Sequence, residues 1–340
     1  MSFTDLPDLA VRELSGAVLA ANDESFAEKE CLVRGPEPVF TPHSFGNKGQ
    51  VYDGWETRRR RDPGHDWAMI RLGVPGLVHG VVVDTAFFKG NYPPEISIEG
   101  CTVDGYPTVA ELDAAEWFEL VPRRAAAGDA RNSYQVDSRR RVTHARLNMF
   151  PDGGVARLRV HGEPVPDPRL FAELPIDLAA LANGGTVSSA SDSFFSRPWG
   201  TIMPGNAACP ADGWETGRRR DDGNDWLTLK LAGRGIVTVA ELDTSHLKFN
   251  APAAASLRGH DAESGADMDD ETSWFDLLPK TRLQPDTPHR FAVADARPAT
   301  HVRLDIYPDG GMARVRLFGN LTAEALDRIT ARHLTLNRPQ

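Results

Sequence analysis

Apolar side chains recur at every second position through much of the chain. Ala68, Ile70 and Leu72 alternate with Trp67, Met69 and Arg71, and Leu227, Leu229 and Leu231 alternate with Trp226, Thr228 and Lys230. A period of two sends successive side chains to opposite sides of a pleated strand, so each segment predicts a strand with one buried face. The runs Val81 to Thr85 and Val239 to Thr244 each lead into a loop holding a Lys and an Asn: Lys89 and Asn91, then Lys248 and Asn250. Further on, His144 to Phe150 and Val155 to His161 flank Pro151-Asp-Gly-Gly154, while His301 to Tyr307 and Met312 to Phe318 flank Pro308-Asp-Gly-Gly311. Pro presets φ and Gly accepts a positive φ, so each pair predicts a hairpin. In the first, Ala145, Leu147 and Met149 form the core face and His144, Arg146 and Asn148 the polar face. Helical periodicity is scarce. Asp167-Pro168 predicts a short helix through Glu173, and Thr322 a C-terminal helix through Leu334. Many short strands, Gly/Pro turns and no β-α-β alternation predict an all-β chain of antiparallel β-sandwiches with few short helices.

The pattern is doubled. Asp53-Gly-Trp-Glu-Thr-Arg-Arg-Arg-Arg-Asp-Pro-Gly-His-Asp-Trp67 returns as Asp212-Gly-Trp-Glu-Thr-Gly-Arg-Arg-Arg-Asp-Asp-Gly-Asn-Asp-Trp226. Twelve of fifteen positions agree, the exceptions being Arg58/Gly217, Pro63/Asp222 and His65/Asn224. The match begins near the start, where Asp8-Leu9-Ala10 and Phe26 correspond to Asp177-Leu178-Ala179 and Phe195. Two tandem domains follow, residues 1–170 and 171–340, joined through Glu163-Pro-Val-Pro-Asp-Pro168. The first has about ten extra residues around Thr41 to Val51, either a lid or contact arm or a solvent-exposed insertion.

Composition narrows the function. At 340 residues and 41% hydrophobic content the chain suits two self-supporting domains. Cys31, Cys101 and Cys209 are odd in number and lack metal-site spacing, which disfavours a disulfide framework or a zinc cluster. A net charge of -10 argues against nucleic acid as partner. No apolar run approaches the ~20 residues of a membrane span, so no membrane association and a cytoplasmic location are expected. Gly-rich phosphate loops, His-x-x-x-His patterns and Gly-x-Ser-x-Gly elbows are missing from the sequence, so no cofactor and no metal is expected.

The doubled motif is the candidate site. If the chain stays extended after Trp55, Glu56, Arg58, Arg60 and Asp62 share one side and Thr57, Arg59 and Arg61 the other. Guanidinium groups grip carboxylates bidentately, so one reading is an anion clamp beside a carboxylate that moves protons. The other is an Arg–carboxylate network joining loops or subunits. His65-Asp66 reads either as a His made basic by its neighbour or as a surface His, since the second copy has Asn224-Asp225. Trp55, Trp67, Trp214 and Trp226 read as packing anchors sooner than as stacking platforms. His144 and His301 fit strand-edge pairing as well as catalysis.

The doubled motif, the run Val-Asp-Thr-Ala-Phe-Phe-Lys-Gly-Asn-Tyr-Pro-Pro at 83–94 and the doubled Phe/Tyr-Pro-Asp-Gly-Gly resemble the allantoicase (allantoate amidinohydrolase) family over nearly the whole chain. The resemblance implies two jelly-roll, galactose-binding-like repeats, a homo-oligomer, and hydrolysis of allantoate to ureidoglycolate and urea in purine (allantoin) degradation. One departure is His246-Leu-Lys-Phe-Asn250, where Phe249 stands in place of Gly. Site roles come from chemistry. Arg58 and Arg60 with Lys89 hold the substrate carboxylate, Asn91 a ureido group, and Glu56 with the His65–Asp66 pair handles protons. Their second-repeat counterparts are Glu215, Arg219, Asp225, Lys248 and Asn250. His65/Asn224, Arg58/Gly217 and Gly90/Phe249 point to the first repeat as the active one. The alternative is a small-molecule or carbohydrate-binding β-sandwich module without catalysis.

Overall fold

The computed structural model describes residues 2–172, 174–295 and 297–337. The chain divides into two compact units, residues 1–165 with 334–340, and residues 166–333. In the first unit β1 (Ala17–Ala21) is followed by a small arm, β2 (Phe45–Gly46) and β3 (Gly49–Gln50). Then come β4 (Trp55–Glu56), the 19-residue β5 (Asp66–Asp84), β6 (Glu95–Cys101), helix α1 (Val109–Asp113), β7 (Phe118–Ala125) and β8 (Arg131–Gln135). The unit ends in β9 (Arg141–Phe150), β10 (Gly154–Val155) and β11 (Arg157–Pro164).

β5 ties the two layers of the sandwich together. Its first part, Asp66 to Arg71, lies between β1 and β9, and β9 leads on to β6 and β7. Its second part, Gly76 to Asp84, lies between β11 and β8. Every pairing is antiparallel. The alternation seen in the sequence supplies the core: Ala68, Ile70, Ile96, Ile98, Ala145, Leu147 and Met149 from one layer meet Val81, Val83, Leu158 and Val160 from the other, all fully buried. Each large aliphatic among them contributes about 1.5–3 kcal/mol. The second unit repeats the plan on the 19-residue strand Asp225–Asp243, paired with Thr186–Ala190 and Ala299–Tyr307, then with Arg314–Leu321 and Pro288–Ala292. The fold is thus two tandem β-sandwich repeats.

Three local expectations are corrected. The strands flanking Pro151-Asp-Gly-Gly154 do not form a hairpin with each other: β9 pairs with β5 and β6, and β11 with the other part of β5. The turn spends its polar groups elsewhere, since the Pro151 carbonyl accepts from the Asp66 amide and the Gly153 carbonyl from the Thr57 amide. Met69, on the side opposite Ala68 and Ile70, is fully buried as well, with Cys101 and Leu112 beneath α1, a helix the apolar periodicity did not signal. His144 and Asn148, assigned to the polar face, are buried too. The C-terminal helix spans Ala323–Leu336, with the Thr322 hydroxyl accepting from the Ala325 amide at 3.3 Å. The helix after Asp167 is one 3-10 turn, Pro168–Phe171; Glu173 lies outside the described residues.

Candidate active site

Two residues of strand and one buried ring position the doubled motif. The Trp55 ring is wholly buried and its Nε1 donates to the Asp23 carbonyl at 2.8 Å. This fixes β4, which pairs with β10 so that Glu56 lies opposite Gly154. Beyond Glu56 the chain leaves the strand and wraps around the Pro151–Gly154 turn. The Thr57 hydroxyl donates to the Gly153 carbonyl and accepts from its amide, at 3.3 and 3.2 Å, and the Arg60 amide donates to Asp152 at 2.8 Å. The Asn91 carbonyl accepts from the Gly154 amide at 2.7 Å. A Cβ on Gly153 would come within 2.4 Å of the Pro93 nitrogen, so glycine is what lets turn and loop meet. Three stretches far apart in sequence therefore converge.

Between them opens a cavity of about 580 Å³, lined by Glu56, Arg59, Arg60, Asn91 and Asp152 with Phe26 and Tyr92 as aromatic walls. Asn91 Nδ2 donates to Glu56 Oε1 at 2.6 Å. Burial pushes the Glu56 carboxyl above the usual range, and the Asn91 hydrogen bond only partly opposes it. Glu56 therefore has one oxygen held by a donor and a carboxyl that keeps its proton to higher pH than an exposed one. Gly90 lines the same space, and a Cβ there would meet nothing within 4 Å.

The arginines do not alternate as an extended strand would require. Arg58 points away, 75% exposed, with Nε 3.2 Å from Asp23. Arg60 reaches inward, but its NH1 bonds Asp66 Oδ1 at 2.7 Å. Arg59, placed on the other side by alternation, lines the cavity and is exposed, with no ion pair among the described residues. Lys89 is outside the cavity lining, exposed and 3.8 Å from Asp129. Asp66 is 1% exposed and also accepts from Asn22 at 2.8 Å, so it anchors a loop and makes no hydrogen bond to the His65 ring. Arg59 and Asp152 are the cavity groups the sequence reading passed over. Both recur in the second copy, as Arg218 and Asp309, which was the available signal.

His65 lies elsewhere. With Trp67, Glu99, Arg146, Asn148 and Phe150 it lines a separate cavity of about 450 Å³ on the outer face of the β5–β9–β6 sheet, its ring 4.8 Å from that of Phe150. Although burial opposes it, hydrogen bonds from Arg146 and Asn148 hold Glu99 below the usual carboxylate range. His144 shares a hydrogen bond with the Thr143 hydroxyl, and burial, with Arg71 nearby, pulls its pKa down to about 4. It is a buried group, uncharged at neutral pH.

The second unit rebuilds the cradle. Asn250 donates to Glu215, the Arg219 amide to Asp309 at 2.8 Å, Arg219 pairs with Asp225 at 2.9 Å, and Thr216 bonds Gly310. Arg218 and Lys248 are exposed.

The molecule falls in a class of duplicated β-sandwiches whose loops bring a half-buried carboxyl, a side-chain amide and a guanidinium around a polar cavity sized for a small molecule. Comparison gives that class its family. The allantoicase repeat model matches residues 7–165 and 176–322. A probable allantoicase of Nocardia farcinica is 56% identical over 322 residues, covering 94% of this chain and 95% of that protein. Another from Streptomyces avermitilis is 49% identical over 347 residues, covering 98% and 90%. The crystal structure of allantoicase from Saccharomyces cerevisiae superposes with a TM-score of 0.78 at 32% identity, over 93% of each chain. The chain belongs to the allantoicase family.

Proposed function

We propose that this chain hydrolyses allantoate to ureidoglycolate and urea in purine (allantoin) degradation, with Glu56 carrying the protons. The observation behind the role of Glu56 is its burial in a polar cavity with one oxygen tied to Asn91. Allantoate has a carboxylate and two ureido groups on one carbon. Losing urea requires a proton on the departing nitrogen, support for the carbon as the C–N bond breaks, and a water oxygen to bond to it.

A neutral Glu56 supplies the first by protonating the departing nitrogen. The remaining ureido nitrogen supports the carbon with its electron pair. The Glu56 carboxylate then takes one proton from water as the C–O bond forms, which regenerates the acid and balances the reaction. Arg59, paired with no carboxylate among the described residues, is the group for the substrate carboxylate, and Arg60 adds positive potential from its fixed position. Asn91 and the backbone around Gly90 face the ureido groups. Arg58, Lys89, His65 and Asp66, placed as they are, take no step in this scheme.

The test is release of urea from allantoate by the purified chain, with ureidoglycolate identified as coproduct. In a chain already carrying Glu215→Gln, adding Glu56→Gln is expected to lower turnover at least about 100-fold, roughly 2.7 kcal/mol of barrier, with folding intact. Binding of allantoate without any urea release would favour the non-catalytic module instead. A cytoplasmic homo-oligomer that binds no nucleic acid completes the proposal, to be checked by cell fractionation, light scattering and a binding assay.

A further inference from the structure

The second repeat preserves the polar contacts of the cradle while changing its walls and mouth, with Ala251 where Tyr92 stands and Arg219 paired with Asp221 as well. The Asn250 amide bonds Glu215 as Asn91 bonds Glu56. Asp309 caps the Arg219 amide as Asp152 caps that of Arg60, and Asp225 holds Arg219 as Asp66 holds Arg60. Arg218, like Arg59, is exposed and forms no ion pair among the described residues. A repeat kept only as scaffold has no use for a carboxyl and an amide facing each other on a loop, because the sandwich core lies elsewhere. We infer that the second repeat holds a second, independent site for the same diureido acid, with Glu215 in the proton-transfer role, Arg218 on the carboxylate and Phe249 as an aromatic cover. This rests on the reading of Glu56 given above and extends it to the other half of the chain.

Phe249 is what makes the two sites unequal. Its first-repeat counterpart, Gly90, lines the cavity and opens onto free space. The phenylalanine ring is 99% exposed, and Phe195, at the position of Phe26 in the cavity wall, is 63% exposed. Large apolar rings left in water beside a polar cradle gain contact area when a ligand arrives beneath them. The second site is therefore the tighter of the two for allantoate, and the first the more open.

The test measures urea release from allantoate over a wide concentration range for the full chain and for Glu56→Gln, Glu215→Gln and the double variant, with circular dichroism as a folding check. Expected is substantial activity in each single variant, at least about a tenth of the original, and loss of at least about 100-fold in the double. The KM of Glu56→Gln should lie below that of Glu215→Gln. Adding Phe249→Gly to Glu56→Gln should raise KM about tenfold with kcat little changed. If Glu56→Gln is as inactive as the double variant while Glu215→Gln matches the original, the second site is refuted and the role of Glu56 stands. If the pattern is reversed, Glu56 loses its role. If each of the two single changes abolishes turnover by itself, the sites are not independent, and the inference fails. An unchanged double variant removes both assignments.

Discussion

Replacing Asp66 by Ala separates a structural anchor from a catalytic group. Asp66 is 1% exposed and its Oδ1 takes both Arg60 NH1 at 2.7 Å and Asn22 Nδ2 at 2.8 Å. Removing one partner of a fully buried ion pair costs about 3–5 kcal/mol, because the other charge is left unpaired. Arg60 is 26% exposed and can turn towards water, which brings the expected loss to about 2–3 kcal/mol. For a unit of this size each kcal/mol lowers Tm by about 2–4 °C, so the first unit should melt about 4–12 °C earlier. Scanning calorimetry on the full chain measures this, with Asp225→Ala as the matched control, since Asp225 holds Arg219 at 2.9 Å in the same way. Measured in the Glu215→Gln chain, turnover at saturating allantoate should change by less than about tenfold while KM rises, because Arg60 is loosened and Glu56 is untouched. An unchanged melting temperature together with a 100-fold loss of kcat would refute the reasoning and return Asp66 to the proton-transfer machinery.

Two further outcomes follow from the same geometry. Asn91→Ala removes the donor that favours the Glu56 carboxylate, so the carboxyl titrates at still higher pH; in the Glu215→Gln chain the alkaline limb of kcat/KM should shift upward, and a limb that stays put would detach it from Glu56. His144 is neutral in the folded chain down to about pH 4, against about 6.5 when unfolded, so its share of stability is complete above pH 6.5 and is lost as pH falls through that window. That share is at most about 3 kcal/mol. His144→Gln should flatten the dependence of the melting temperature on pH between about 6.5 and 4, and an unaltered slope in calorimetry would mean the ring is already charged when folded.

The doubling and the strands were legible because they are written in local terms: a repeated string and a period of two. The convergence of Glu56, Asn91 and Asp152 was only half legible, since nothing local says that a Pro-Asp-Gly-Gly turn hands its carbonyl to a threonine ninety-odd residues away. The same turn was misread as a hairpin because its residue types report backbone dihedrals and not which strand its flanks will choose. Alternation was carried too far along the arginine run, where β4 has already ended at Glu56, and so it selected Arg58 over Arg59. His65 and Asp66 are neighbours in sequence, but the start of β5 sends their side chains to different surroundings. Helix α1 had a signal that periodicity overlooks, the Thr108 and Glu111 capping box. The charged outer face of Glu99, Arg146 and Asn148 could have been found by pairing the non-core positions of adjacent strands.

The long strand β5 also bears on how each half lives and dies. Because one continuous segment is stitched into both layers, neither layer can peel away while the other stays intact. Fraying must begin at the rim, in the arm or the loops, and leave Asp84 and Asp66 at opposite ends of the same taut thread. Any rearrangement of the loops at its two ends therefore takes place on a footing held by both layers.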